Sequence, residues 1–232
     1  MEFTIPDYFY MDESFYKGVY EPRFESVTFT GNFSCLPVFS PDTSYKAIYD
    51  LIDSANESIY IQQLYIYKNW NDEINPFVEY LINKSKLGVD VKVILNYNPS
   101  YDETNEKCNQ TKLYFDEFGI QTKFIYSNWS IFSNVHNKGV IVDNQSVLIS
   151  SINWNENSFL NNREAGIIIK NQDLVKYYAD VFFYDWNLSP PNTKIQDENT
   201  LSTDYKNTIY IMIIFTMTFA FIIRDWRKRK WT

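Results

Sequence analysis

The 232-residue sequence has little histidine, cysteine and glycine. It contains one histidine, His136, and a lone histidine is more often structural than catalytic unless its neighbours support a chemical role. The two cysteines, Cys35 and Cys108, allow at most one disulfide bond, and whether it forms depends on the compartment of the domain. Glycine is limited to six residues, while 45% of the chain is hydrophobic and 19% is aromatic. This composition excludes a disordered chain and predicts one domain with a sizeable core.

Basic residues are scarce outside the C-terminus. The last nine positions hold five of the 21 basic residues and one acidic residue, so the rest carries 16 basic and 28 acidic residues. The net charge is −8 for the chain and −12 for that remainder. General nucleic-acid binding depends on neutralising phosphates, so this charge disfavours it, although a local basic pocket stays open.

A long uncharged run lies near the C-terminus. Residues 208–223 read TIYIMIIFTMTFAFII, and sixteen helical residues span about 24 Å. Asn207 and Tyr205 extend this run toward the membrane interface, and RDWRKRKW follows it directly. We therefore predict a single transmembrane helix over residues 207–223 rather than a buried core helix.

The basic tail predicts the orientation of that helix. Lys and Arg beside a span tend to stay cytoplasmic, so we expect the C-terminus inside and residues 1–206 outside the cell. The N-terminus has no basic start and no apolar run of signal-peptide length, which leaves the route across the membrane open. Seven Asn-x-Ser/Thr sequons agree modestly with an external domain: Asn32, Asn56, Asn83, Asn109, Asn128, Asn144 and Asn187.

Strand-like and helix-like segments alternate through the middle of the chain, without an internal repeat. Helices are predicted from Ser44, from Pro76 after Asn75, over residues 104–118, and after Asn171. Strands are predicted at residues 58–67, 90–96, 121–126, 135–142, 146–150 and 165–170. This alternation favours an α/β sandwich.

The residues with clear chemical potential lie between positions 135 and 169. His136 and Lys138 are two apart in a predicted strand, which places their side chains on one face. Ser151 and Asn153 repeat that spacing on a second segment. An ammonium and an amide can hold phosphoryl oxygens, and an imidazole can act as a nucleophile or transfer a proton. Glu164 is a candidate to accept a hydrogen bond from the far ring nitrogen of His136 and fix its tautomer.

These residues resemble the motif of the phospholipase D superfamily: His-x-Lys, four residues, Asp, six residues, then Gly-Ser-x-Asn. The chain has His136, Lys138 and Asp143, followed by Ser151 and Asn153. The glutamate that follows in the family matches Glu164, and the usual glycine is replaced by Ser150. The resemblance covers about residues 36–187, one repeat of the fold. It is nearest to the C-terminal repeat of archaeal phospholipase D-like proteins that carry a terminal anchor.

The resemblance implies a mixed sheet with helices on both faces, and a phosphodiesterase that needs neither a metal nor another cofactor. One histidine attacks phosphorus and a second protonates the leaving oxygen, across a twofold axis that relates two motifs. A chain with one motif then needs either a homodimer or a second half-domain, which would lie upstream if this chain is the second half of a two-motif polypeptide. Asp143 is a candidate site residue that is also suited to shaping a turn. Trp129 and Trp154 flank the motif and suit either a substrate groove or the core.

The domain organisation predicted on this basis has five parts. They are an N-terminal extension (1–35), the phospholipase D-like domain (36–187), a linker (188–206), the transmembrane helix (207–223) and a cytoplasmic tail (224–232). The favoured substrate is a phospholipid. The alternatives are a nuclease of the single-motif type, a phosphatidyltransferase of the cardiolipin synthase kind, and an inactive membrane-bound remnant or binding module.

Overall fold

Seven strands form a mixed sheet in the order β1-β9-β8-β7-β2-β5-β6. The computed structural model describes residues 23–127 and 132–189. Within it, β2, β5 and β6 run parallel, while the other neighbouring strands pair antiparallel. Two further strands, β3 and β4, make a small separate hairpin. The strands are β1 (Ser34–Phe39), β2 (Ser58–Gln63), β3 (Asn69–Trp70), β4 (Glu73–Ile74), β5 (Asp90–Tyr97), β6 (Gln121–Tyr126), β7 (Lys138–Val142), β8 (Ser146–Ser150) and β9 (Ala165–Lys170).

Helices cover both faces of this sheet. Side chains alternate along β2, so Ile59 and Ile61 enter one hydrophobic cluster while Tyr60 enters the other. The first cluster packs against α1–α4 and the second against α5. The predicted mixed α/β fold with helices on both faces is therefore confirmed. The helices are α1 (Ser44–Asp53), α2 (Pro76–Lys86), α3 (Asp102–Asp116), α4 (Glu156–Leu160) and α5 (Gln172–Trp186).

Two helix starts form as the sequence predicts. The Asn75 side chain accepts a hydrogen bond from the Phe77 amide at 3.0 Å, and Pro76 occupies the first helical position. Asn171 accepts in the same way from the Leu174 amide at 3.0 Å. These caps fix where α2 and α5 begin, and so determine how each helix lies on its face of the sheet.

Several boundaries differ from the predicted ones. The strand predicted over 135–142 begins at Lys138, so His136 lies in the preceding loop, and the strand predicted over 58–67 ends at Gln63. The sheet also reaches into the predicted extension, because β1 starts at Ser34 and pairs with β9. Cys35 and Cys108 are free thiols, the first exposed and the second buried.

Some predictions lie outside the described residues. These are the transmembrane helix at 207–223, the basic tail, most of the linker and Trp129. Within residues 23–127 and 132–189, no helix combines the length and the apolar character that a membrane crossing requires.

Candidate active site

The candidate site lies where the sheet changes direction. β7 runs antiparallel to its neighbour β2, so β7 begins beside the carboxyl end of β2. In the register of β7 and β8, Lys138 is opposite Ser150, and Ser150 is in turn opposite Gly166 of β9. The start of β7, the end of β8 and the start of β9 therefore meet at one edge. Clefts outside the carboxyl ends of parallel strands are common ligand sites in open α/β sheets.

His136 and Lys138 are in direct contact at this edge. The Lys138 Nζ lies 3.0 Å from Nδ1 of the His136 ring and 2.5 Å from the His136 carbonyl oxygen. Lys138 is 4% exposed, whereas the His136 side chain is exposed. Burial lowers the pKa of Lys138, and the nearby negative charge of Glu164 acts in the opposite direction. An imidazole that a ligand can reach thus lies beside a desolvated amine.

The contact with Lys138 determines the role of the near ring nitrogen. An ammonium has only donors, so Nδ1 of His136 accepts in this arrangement and the proton of a neutral ring resides on Nε2. The predicted hydrogen bond from His136 to Glu164 is not formed among the described residues of this one chain. Instead, Glu164 accepts from the Ser151 hydroxyl at 2.5 Å and from the Asn162 amide at 3.1 Å.

Ser151 and Asn153 follow the end of β8. The backbone of Ser151 donates to the Ala165 carbonyl oxygen at 2.9 Å, which anchors the segment to β9 next to Glu164. The side-chain oxygen Oδ1 of Asn153 is buried and has no hydrogen-bond partner within the described part of the chain.

Asp143 does not join this group. It follows the last residue of β7, about 16 Å along the strand from Lys138. Its carboxylate accepts backbone hydrogen bonds from Asn56, Glu57 and Ser58 at 2.8–2.9 Å. Burial works to raise the pKa of Asp143, but these hydrogen bonds together hold it below its ordinary value. The predicted site role is corrected to a structural one: Asp143 fixes the start of β2 against the end of β7.

A family model described as "Cardiolipin synthase, PLD-like domain" matches residues 48–186, more than half of the chain. The chain belongs to the phospholipase D superfamily. This confirms the family inferred from His136, Lys138, Asp143, Ser151 and Asn153.

The curated relatives align with this chain over only part of their own length. The DISARM protein DrmC of Bacillus paralicheniformis is 28% identical over 149 residues, which is 59% of each chain. Phospholipase D of Rickettsia typhi is 30% identical over 138 residues, or 60% of each chain. The chain thus spans about 60% of the length of these relatives.

Solved structures of the superfamily share the fold. Nuc of Salmonella typhimurium, described as a phospholipase D family member, aligns with a TM-score of 0.58 at 23% identity. The alignment covers 67% of this chain and 95% of that one. NucT of Helicobacter pylori gives 0.53 at 22% identity and covers 67% and 96% of the two chains. One repeat of the fold accounts for nearly the whole of either protein.

Two features near the site were missed by sequence reasoning. Tyr65 lies on the site side of β2, where burial raises its pKa and the phenol of Tyr67 and the charge of Glu164 add to that effect. On the opposite face of the sheet, Asn137 donates to Gln62 at 2.6 Å, and Gln62 donates to Asp185 at 2.5 Å. A carboxylate on the buried face of α5 was the available signal for this second feature.

Burial raises the pKa of Asp185 to about 6, while the Gln62 hydrogen bond acts in the opposite direction. The chain of contacts ends at Asn137, the residue between His136 and Lys138. Asp185 therefore supports the loop that carries His136 from behind the sheet.

The phospholipase D resemblance implies chemistry without a metal ion. Among residues 23–127 and 132–189, no three His, Cys, Asp or Glu side chains are grouped as they would be to hold one. Whether the reaction proceeds without a metal stays a prediction for experiment.

Proposed function

We propose that this chain is a half-site of a phosphodiesterase in which His136 and Lys138 act on the phosphate. The observation that carries the proposal is the 3.0 Å contact between the Lys138 amine and the exposed His136 ring. A phosphate ester entering this edge draws the ammonium toward its phosphoryl oxygens, since a charged oxygen is the stronger acceptor. That movement releases Nδ1 of His136.

The released ring gives its Nε2 proton to water and takes a proton from water on Nδ1, so that Nε2 carries the free electron pair. A carboxylate is suited to accept the hydrogen bond from the Nδ1 proton, and the charge of Glu164 already acts on Lys138 beside the ring. Nε2 attacks phosphorus, a P–N bond forms and the P–O bond to the alcohol breaks. A second imidazole, in its protonated form, gives its proton to the leaving oxygen. The same imidazole then takes a proton from water, whose oxygen attacks phosphorus and breaks the P–N bond.

The second imidazole has to come from outside these 232 residues, because His136 is their sole histidine. We propose a C2 homodimer, which brings two copies of one edge together and supplies one His136 from each. The exposure of the His136 side chain in the single chain supports this arrangement. A separate half-domain that carries a second motif is the alternative, and the two differ in whether the purified chain is active alone.

The experiment uses the full chain in detergent, with a generic substrate, bis(4-nitrophenyl) phosphate, in the presence of EDTA. We expect activity from a dimer, loss of at least about 10³-fold in His136→Ala, and acid-labile phosphate on the enzyme after quenching. Mixing the His136→Ala chain with the wild-type chain should lower the activity by more than dilution of the wild-type chain alone, because a mixed dimer holds only one His136. A monomer without activity would contradict the homodimer, and activity that EDTA abolishes would contradict the metal-free route.

We propose a phospholipid rather than nucleic acid as the substrate. The net charge of −12 on residues 1–223 supports this choice, because nucleic-acid binding relies on many phosphate contacts. Phosphatidyl transfer is the second candidate, since the matching family model is described by cardiolipin synthase. Added glycerol distinguishes hydrolysis from transfer. Transfer yields phosphatidylglycerol, whereas hydrolysis yields only phosphatidic acid.

We further propose that residues 207–223 anchor the chain with the catalytic domain outside the cell. Six of the seven sequons fall in the described residues, and each asparagine there is exposed: Asn32, Asn56, Asn83, Asn109, Asn144 and Asn187. Protease added to intact cells should remove the domain and leave the basic tail protected. Protection of the domain would reverse the proposed orientation.

A further inference from the structure

A second pocket lies beside the candidate site and is lined largely by amides. We call it the amide pocket, a cavity of about 600 Å³ between the β2–α2 connection, α3 and the segment after Asn153. Six amide side chains line it: Asn69, Asn71, Gln110, Asn155, Asn157 and Asn161. Side-chain amides pair one acceptor with two donors, which matches hydroxyl groups that both donate and accept.

Two of these amides are available for a ligand. Asn71, Gln110, Asn155 and Asn157 already bond to other side chains. Within the described residues, the amides of Asn69 and Asn161 have no side-chain hydrogen bond, and both residues are exposed. These two side chains can therefore bind hydroxyls without breaking an internal contact.

The aromatic residues of the amide pocket offer little room for stacking. Tyr65 stacks against the ring of Tyr67 with centroids 4.9 Å apart, and the Lys107 amine lies 5.1 Å from the centre of the Tyr67 ring. Trp70 is 9% exposed and packs against Phe77 and Phe159. A nucleobase or a quaternary ammonium binds by open aromatic faces, which the pocket lacks.

Charge in the amide pocket also argues against a cationic ligand. Lys68 and Lys107 both line it, and the acidic lining residue Glu156 already accepts from Asn71 at 2.8 Å. The remaining chemistry is that of a neutral or anionic polyhydroxylated group. Polar pockets of several hundred Å³ accommodate a ring-sized group rather than a three-carbon chain alone.

The amide pocket is close to the candidate site along the chain. Asn155 lines the pocket and donates to the Tyr65 hydroxyl at 3.4 Å, on the side of the sheet that carries Lys138. Asn153 lies two residues earlier, so the two Cα atoms are within about 7 Å. An alcohol attached to a phosphate at the site is then near enough to enter the pocket.

We propose that the amide pocket binds a six-membered polyhydroxylated ring, such as a cyclitol or a hexose, on the alcohol side of the phosphodiester. This inference rests on the proposed function, because it assigns the alcohol of the same substrate. Asn69 and Asn161 bind ring hydroxyls, while the charge of Lys68 favours a ring that carries further negative charge; Lys107 contributes less, because it is paired with Glu103 at 2.7 Å.

The test compares four substrates with the full-length dimer in detergent. They are glycerophospho-myo-inositol, glycerophosphoglycerol, glycerophosphocholine and bis(4-nitrophenyl) phosphate. We expect kcat/KM for the inositol ester to exceed that for the glycerol and choline esters by at least tenfold. Asn69→Ala with Asn161→Ala should lower it about tenfold, mainly through KM, and leave the nitrophenyl ester within twofold. The matched control pairs Gln145→Ala with Gln172→Ala, two exposed amide side chains at the turn between β7 and β8 and at the start of α5, neither of which lines the pocket.

A binding measurement separates this proposal from the catalytic one. The His136→Ala chain is titrated with myo-inositol 1-phosphate, and binding should persist in it and weaken about tenfold when the Asn69→Ala and Asn161→Ala changes are added. Binding without hydrolysis of any ester would keep the pocket and refute the catalytic proposal. Hydrolysis with equal rates for all esters, or no binding of the inositol phosphate, would overturn the pocket proposal.

Discussion

The two ends of β7 carry residues of one sequence motif but do different physical work. At its start, the buried Lys138 amine contacts an exposed imidazole, and the Asn153 oxygen nearby has no partner among the described residues. At its other end, Asp143 is fully engaged by three backbone amides from the start of β2. A buried amine beside an exposed imidazole is typical of a reactive site, while a carboxylate bound by several backbone amides is typical of structure.

The comparison shows that residues of one motif need not share a function. Asp143 lies five positions after Lys138, and the five-residue strand β7 accounts for that spacing. Losing Lys138 should therefore affect activity and spare stability, while losing Asp143 should do the reverse.

The largest effect is expected for Lys138→Met. Methionine keeps most of the side-chain volume but removes the charge that holds phosphoryl oxygens, so kcat should fall by at least about 10³-fold. Because the amine is buried, the midpoint of thermal unfolding should stay unchanged or rise. Steady-state kinetics and a thermal melt check both, and a large loss of stability with activity retained would reverse the assignment of the two ends.

Asp143→Ala is the matching change at the other end. It leaves three backbone amides without their acceptor and places alanine at a φ of 51°, so we expect a loss of about 3 kcal/mol in the free energy of unfolding. Asn tolerates that φ and retains one acceptor oxygen, so Asp143→Asn should lose less. Denaturant titration measures both, and kcat at 20 °C should remain within about threefold of wild type.

The pH dependence follows from the lowered pKa of Asp143. Its contribution to stability is present above the ordinary carboxyl pKa of about 4 and is lost as the pH falls through the lower value in the folded state. The free energy of unfolding of the Asp143→Ala chain should therefore decline less than that of the wild-type chain as the pH falls below about 4.

A smaller effect is expected from Gly166→Ala, near the start of β7. A Cβ at position 166 would lie 2.7 Å from the Ser150 Cβ and 3.1 Å from the Ile149 carbonyl oxygen. We expect a loss of about 2 kcal/mol in the free energy of unfolding, and Ser150→Gly in the same chain should restore about half of it. A double-mutant cycle measures the coupling, and strictly additive losses would show that Ser150 and Gly166 do not constrain each other.

The smallest effect is expected for Asp185→Asn, behind the sheet. A carboxyl whose pKa is raised to about 6 destabilises the fold when it ionises, so its cost is present at pH 7 and fades as the pH falls from 6 toward 4. The substitution should raise the free energy of unfolding by about 1 kcal/mol at pH 7.5 and have little effect at pH 4.5. An equal gain at both pH values would exclude this titration as the cause.

The sequence predicted the elements whose local signals agree with their burial. Pro76 after Asn75 marked the start of α2, and short runs rich in β-branched or aromatic residues marked β5, β6, β8 and β9. The start of β7 was predicted three residues early, because His136 alternates with Lys138 in sequence although it lies outside the ladder. Periodicity alone does not reveal where hydrogen bonding to a neighbouring strand stops.

Within the site, the motif predicted that His136 and Lys138 lie together, whereas it predicted Glu164 beside His136 and not the observed hydrogen bond from Ser151 to Glu164. It did not separate Asp143 from the site, since spacing carries no information about which end of a strand faces a ligand. Asp185 and the amide pocket were missed because they assemble residues that are distant in the chain, such as Gln62 with Asp185. Such contacts depend on tertiary packing rather than on local pattern.

The change of strand direction between β2 and β7 has a consequence for how this protein can diversify. The connections that border the candidate site, at residues 64–75 and 154–162, lie outside the seven-stranded sheet. Under the proposed function, insertions there can alter which alcohol is accepted, while Lys138 stays fixed by its ladder, and Asn153 and Glu164 lie outside both connections. The residues proposed for selectivity and those proposed for reactivity then reside in separable stretches of chain, so the first can drift without loss of the second.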